Sequence, residues 1–271
     1  MLKKRLIRRV KRIPDDLNQI RRRFKTKLPR KIPRKLFSEF TMDGKVRILY
    51  SFRDDSYPDS KPRIFEKEKI ESMISQSKNG INKSYGKTSG YLRDAMEKYS
   101  KEIKNKEGVD VGSVSGWFSA MTLAARAKNS YILEYNKIDS KHPRVIPIQN
   151  KDFIKNPRKF DFGTSISSIE HDGLGRYGDP INPWGDLKAM KDLKKIVRKR
   201  RLLFLSIPIG KDTLVWNKHR IYGRLRFPKL VEGWEIIDSF GFKESDLDFD
   251  AGKRIYRKAT PHQPVFVLKN I

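Results

Sequence analysis

The chain has 271 residues, 37% of them hydrophobic and 34% charged, and contains no cysteine. That length allows one two-sided domain of about 150 to 200 residues with further material attached, and the lack of cysteine excludes disulfides, a thiolate nucleophile and any Cys-ligated zinc. The net charge is +29, from 61 Lys and Arg against 32 Asp and Glu; no apolar run reaches the roughly eighteen residues of a transmembrane helix, so a soluble, intracellular and cytoplasmic protein is expected.

Residues 1–36 hold 16 basic and 2 acidic side chains. They lack the apolar segment of a secretory signal, and although an Arg-rich start suits a mitochondrial presequence, the scarcity of serine argues against one. They read as a poorly ordered, solvated arm; the functional alternative is a salt-sensitive contact with nucleic acid or an anionic membrane. Leu2, Leu6, Ile7 and Val10 have helical spacing, so a short surface-lying helix is allowed, while Pro14, Pro29 and Pro33 stop anything longer.

Residues 37–90 read as an extension packed on the main domain, with a strand at 45–52, a helix at 64–77 and a stretch rich in Gly, Asn and Ser at 79–90. Leu92, Ala95, Met96 and Tyr99 fall three and four apart and predict a helix over 91–103, opening a domain at 91–271. After residue 108 strands and helices alternate: strands at 109–111, 131–134, 145–148, 160–166 and 202–207, and helices at 117–127 and 187–199. This order implies an α/β fold with a mostly parallel sheet covered on both faces. In the second helix Leu187, Met190, Leu193 and Val197 form the buried stripe, and Lys188, Lys191, Lys195 and Lys199 a solvated face. Two last runs, 234–242 and 264–268, lie close in sequence, which suggests a seventh strand inserted antiparallel beside the sixth.

Between the first strand and its helix stands Gly112-Ser113-Val114-Ser115-Gly116, and Glu134 ends the next strand. A turn without side chains lets backbone N–H groups and a helix N-terminus approach a ligand, while a carboxylate at the neighbouring strand's end accepts both ribose hydroxyls. The dinucleotide fingerprint requires glycine at 114 and 117, where Val114 and Trp117 stand. The pattern acid-x-G-x-G-x-G is matched at Asp110, Gly112 and Gly116 but not at Val114. On these residues the chain resembles class I S-adenosylmethionine-dependent methyltransferases, whose fold is a three-layer Rossmann-like sheet with an antiparallel last strand. The segments DVGSVSGW at 110–117, LEYN at 133–136, SISSIEH at 165–171 and NKHRIYG at 217–223 make residues 85–270 similar to a nematode family of unknown function that itself resembles the methyltransferases.

The resemblance implies an S-adenosylmethionine site in which Asp110, Gly112, Ser113 and Gly116 form the turn around the methionine part, Glu134 holds the ribose and Asp152 meets the adenine amino group. Val114 resists a positive φ and close backbone approach, which predicts weakened or lost cofactor binding. His171 follows strand four and His219 strand five, on the edge where ligands of open α/β sheets bind, and His262 is expected to join them, with His142 on the opposite edge. Either His171 or His219 is a candidate general base, with bonding to loop backbone as the plainer role; metal-ligand spacing is absent. The Gly- and Pro-rich loop at 171–185 reads as a lid or substrate wall, with Arg176, Tyr177, Arg220 and Tyr222 as acceptor-binding candidates. Three readings follow: a methyltransferase acting on a small acceptor, an inactive relative serving as a binding or scaffold protein, and a polyanion binder working through the basic arm.

Overall fold

A computed structural model describes residues 28–56, 63–81, 84–250 and 262–271. Most of the basic arm, including the surface helix expected at its start, lies outside the described residues. In chain order the elements are α1 (Phe37–Thr41), β1 (Arg47–Tyr50), β2 (Arg63–Phe65), α2 (Lys67–Lys78), α3 (Lys87–Lys98), α4 (Ser100–Ile103), β3 (Glu107–Val111) and α5 (Trp117–Ala124). Then come β4 (Asn129–Glu134), β5 (Ile138–Ser140), β6 (Val145–Gln149), α6 (Asn150–Lys155), β7 (Phe160–Ile166), α7 (Gly185–Ile196) and β8 (Val197–Ser206). The chain closes with β9 (Thr213–Trp216), β10 (His219–Ile221), α8 (Phe227–Leu230), β11 (Trp234–Phe240) and β12 (Val265–Asn270).

The central sheet has the order β11-β12-β8-β7-β3-β4-β6. Strands β6, β4, β3, β7 and β8 are parallel, and β12 lies antiparallel between β8 and β11. This is the three-layer Rossmann-like arrangement with the antiparallel last strand expected from the sequence. Both faces are covered, which is why Leu202, Leu203, Phe204 and Leu205 are apolar in succession. On one face Leu92 and Met96 of α3 and Trp117 and Met121 of α5 meet Phe162 and Phe204. On the other, Met190 and Leu193 of α7 meet Leu203, Leu205 and Phe266. Each such side chain contributes on the order of 1.5–3 kcal/mol by leaving water.

Local departures from the sequence reading have local causes. Ile64 belongs to β2, parallel to β5, so the helix expected from 64 begins at Lys67. The helix expected over 91–103 starts at Lys87 and breaks at Tyr99, whose hydroxyl bonds Asp238 on β11 at 3.1 Å. The helix expected to reach 127 ends at Ala124, because Arg126 turns the chain toward β4 with φ 68°. The one expected to reach 199 ends at Ile196, because Val197 pairs with Phe160 in the sheet. Strands β9 and β10 were not foreseen; with β1, parallel to β9, they form a three-stranded sheet that ties the N-terminal extension to the loop after β8.

Candidate functional site

The turn after β3 bends where its glycines stand. Gly112 and Gly116 have φ of 76° and 73°, a region in which a Cβ is strained. A Cβ on Gly112 would also overlap the Ser168 hydroxyl, and one on Gly116 would lie 2.9 Å from Ile70 Cδ1. Val114 is not among the positive-φ residues; it sits exposed at the crest, and its carbonyl accepts a 2.9 Å hydrogen bond from Arg63 Nη1. The strain expected there is absent, since the turn needs left-handed backbone only at its two ends. Asp110 is buried and receives the Ser119 hydroxyl at 2.8 Å and the Thr164 hydroxyl at 3.3 Å. Burial pushes its carboxyl up to about 6 against these hydrogen bonds. Asp110 ties β3 to α5 and β7 from inside; Asp110, the buried Ser113, whose Oγ has no hydrogen-bond partner among the described residues, and Gly116 do not border the cavity.

At the carboxyl ends of β3, β4 and β7 a cavity of about 1260 Å³ opens, bordered by Gly112, Val114, Glu134 and Ser168. Ordinary ligand pockets run to about 300–1,000 Å³, so this one is roomy. It continues between α6 and α7 along the sheet, past Leu133, Phe153 and Ile196. The reason is geometric: α6 has six residues and is only about 9 Å long, whereas the seven residues of β7 extend about 23 Å.

Glu134 faces this space, with the Asn136 N–H 3.3 Å from its Oε1; burial pushes its carboxyl up from the ordinary range. Asp152 is exposed and off the lining. Asn150, which follows directly on β6, borders the cavity instead, and its Oδ1 is buried with no hydrogen-bond partner among the described residues. The sequence reading missed it because β6 runs to Gln149, one residue further than expected.

His171 borders the cavity, and its Nδ1 lies 2.5 Å from the Lys218 carbonyl. A carbonyl only accepts, so Nδ1 carries the hydrogen and Nε2 the lone pair. Nε2 is 3.7 Å from Glu170 Oε1, which also receives the Ser167 hydroxyl at 2.7 Å; Glu170 Oε2 is buried without a partner among the described residues. Burial, reinforced by the nearby Arg176 cation, lowers His171 to about 3, and burial raises Glu170 to about 7. His219 lies edge to face with His171, ring centroids 6.2 Å apart and planes at 81°, off the lining, lowered by burial to about 4. His262 is not with them: its Nε2 lies 3.2 Å from Asp246. His142, expected on the other edge, pairs with Glu71 at 3.0 Å.

Arg176 and Tyr177 border the cavity, the guanidinium 4.7 Å from the phenol ring centroid and its Nε donating to Asp55 at 2.9 Å. Arg220 and Tyr222, expected beside them, are buried away from the lining. Arg220 donates to the Asp172 carbonyl at 2.6 Å, and the Tyr222 hydroxyl to Asp186 at 3.0 Å. Asp186 also takes Nε and Nη2 of Arg226 at 2.8 and 2.6 Å. This network pins the loop at 171–185 to the sheet. Arg53, Asp55 and Tyr85 of the N-terminal extension complete the wall; no local signal in the sequence marks them, because β1 reaches the site by pairing with β9. Among the described residues no group of three His, Asp or Glu is arranged to hold a metal.

Sheet order, glycine turn and cavity together define a class I methyltransferase-like fold. The chain belongs to the family described as Caenorhabditis protein of unknown function, DUF268, which matches residues 105–271. No curated protein matches the sequence. Among solved structures, the N-methyltransferase NodS from Bradyrhizobium japonicum is 10% identical with a TM-score of 0.42, covering 69% of this chain and 98% of that one. The ribosomal protein L11 methylase from Lactobacillus delbrueckii is 11% identical with a TM-score of 0.42, covering 69% and 80%. A protein from Lactococcus lactis described as a candidate hemolysin is 14% identical with a TM-score of 0.40, covering 67% and 86%.

Proposed function

We propose that the protein binds S-adenosylmethionine in this cavity and methylates a small acceptor, residues 91–271 forming the catalytic domain and residues 37–90 part of the acceptor wall. The observation that carries the reading is the meeting of the Gly112 turn, the Glu134 carboxyl and the unpartnered Asn150 Oδ1 on one space. These residues fit the group: Glu134 suits a ribose diol, the buried Asn150 oxygen suits an amino donor, and the turn leaves room for the polar methionine end. Bound there, the cofactor supplies a sulfonium-activated methyl group. Most of the rate then comes from alignment and from proton removal.

His171 presents its Nε2 lone pair beside the cavity, and Glu170 stands behind it. A base held near 3 is weak at neutral pH, whereas a carboxyl at about 7 is matched to it. In this reading the acceptor's proton goes to His171 Nε2, and the ionised Glu170 stabilises the resulting imidazolium. His219 backs the ring, and Arg176 with Tyr177 borders the acceptor. Calorimetric titration with S-adenosylmethionine and S-adenosylhomocysteine tests the site. Wild type is expected to bind both, and Glu134→Ala to weaken both by about ten- to a hundredfold, the worth of a charged hydrogen-bonding partner. No heat and no thermal stabilisation of wild type at millimolar ligand would sink the proposal.

A further inference from the structure

The amino ends of β6, β4, β3, β7 and β8 lie on the sheet edge opposite the Gly112 turn, because the five strands are parallel. The segments that lead into or open them, 104–106, 125–128, 141–144, 155–159 and 198–201, contain thirteen Lys or Arg and no Asp or Glu. Four of these cations are ion-paired: Arg158 to Glu107, Arg198 to Asp161, Arg201 to Glu102 and Lys141 to Glu66. The other nine have no ion-pair partner among the described residues.

The backbone is bent to place them. Phe160 pairs with Val197 but Phe162 pairs with Leu202, so residues 198–201 stand opposite Asp161 alone and bulge from the edge. Arg200 there has φ 62°, Arg126 before β4 has φ 68° and Asn105 before β3 has φ 59°. Left-handed backbone costs an ordinary residue about 1 kcal/mol, and glycine would hold each turn without that cost. Three of the seven positive-φ non-glycine positions among the described residues thus fall on this edge, two of them arginines whose side chains stand exposed.

From this edge we infer a binding surface for the phosphate backbone of duplex nucleic acid, RNA and DNA alike. Five strands set about 4.8 Å apart make a row about 20 Å across, enough to reach phosphates on both sides of a groove about 12 Å wide. No exposed aromatic residue falls in these segments; stacking on single-stranded bases uses aromatic side chains. The contact is therefore electrostatic and indifferent to sequence. Arg158 and Lys159 also border the far end of the cavity, whereas Arg126, Lys128, Lys155, Lys199 and Arg200 do not, and the contact does not depend on methyl transfer.

Fluorescence anisotropy of the full chain, with an arbitrary duplex of about 20 base pairs at several salt concentrations, tests the inference. The edge variant Arg126→Gly, Lys128→Gln, Lys155→Gln, Lys199→Gln, Arg200→Gly removes five charges and relieves two strained positions. Its affinity is expected to fall at least about tenfold at 0.1 M salt, and its log K against log salt slope by about two or more. A control variant, Lys67→Gln, Lys69→Gln, Lys78→Gln, Lys87→Gln, Lys229→Gln, removes five exposed charges elsewhere and is expected to lose less than about threefold. Equal loss in both variants would assign the binding to net charge; no loss in the edge variant would assign it to the basic arm. Phosphatidylserine vesicles that bind wild type as tightly as the duplex does, and release the edge variant, would assign the edge to membranes. Each of these outcomes overturns the inference. If the fivefold variant does not fold, Arg126→Gly with Arg200→Gly is read alone; there the slope is expected to fall by about one to two, and an unchanged slope overturns the inference.

Discussion

At the carboxyl ends of its central strands the sheet buries ionisable groups and neutralises them, while at the amino ends it exposes cations and leaves most of them unpaired. Asp110, Glu170 and His171 are all pushed toward their uncharged forms by burial on the first edge. On the second, thirteen cations stand in five short segments with no acid among them. Positive φ occurs on both: on Gly112, Gly116, Ser167 and Tyr85 around the cavity, and on Asn105, Arg126 and Arg200 at the other edge. The first edge thus encloses a cavity and the second presents an exposed row of cations.

The largest expected blow to this contrast falls on the enclosed side. Asp186 is fully buried and holds Arg226 through two hydrogen bonds, with the Tyr222 hydroxyl as a third partner. Asp186→Ala leaves Arg226 and Arg220 buried without their carboxylate, which costs about 3–5 kcal/mol. A fall in Tm of about 10 °C is expected by calorimetry, with the loop at 171–185 becoming open to protease and duplex binding at the far edge retained. Loss below about 1 kcal/mol would show that the loop is held by other means.

The next effect concerns pH. The Glu170 carboxyl lies at about 7 in the folded chain against an ordinary 4.5. A folded pKa above the unfolded one means that the native state holds the extra proton; its stabilisation is complete below about 4.5 and is lost as pH rises through about 7. The difference corresponds to on the order of 3 kcal/mol. Asp110, raised to about 6 from 3.8, acts in the same direction. His171 and His219, lowered to about 3 and 4, act in the opposite direction below about 6.5, so the Glu170 contribution is read as a difference: in urea denaturation between pH 5 and pH 8, wild type is expected to lose more stability with rising pH, or gain less, than Glu170→Gln does. A Gln variant with the same pH dependence as wild type would show that Glu170 does not titrate in this range.

The sheet was legible in the sequence because its evidence is periodic. Seven apolar runs in the right order fix a parallel sheet with an antiparallel last strand, and Gly112, Gly116 and Glu134 mark its crevice by spacing alone. What sequence order concealed was contact between distant segments. Arg220 and Tyr222 lie in a loop-like stretch beside His219, yet β10 turns both inward to Asp172 and Asp186. Arg53 and Asp55 reach the cavity from the extension because β1 pairs with β9, and Tyr85 because its ring packs on Phe118. Asp152 was displaced by Asn150 through one residue of strand length. The charged edge is spread over five segments up to about a hundred residues apart, and parallel pairing alone collects it.

The smallest expected effect tests the residue that most distinguishes this turn from the pattern it resembles. Glycine at 114 matters only if the backbone there is left-handed or if something approaches too closely for a side chain. Val114 meets neither condition: its φ is not positive and its side chain is exposed. Val114→Gly is therefore expected to change S-adenosylmethionine affinity by less than about threefold and stability by no more than about 1 kcal/mol, the latter from added freedom in the unfolded chain. Gly112→Ala, by contrast, is strained by φ and meets the Ser168 hydroxyl, so it is expected to weaken both. If Val114→Gly instead improved affinity tenfold or more, the valine would be closing the site, and the chain would be a methyltransferase sheet turned to another use.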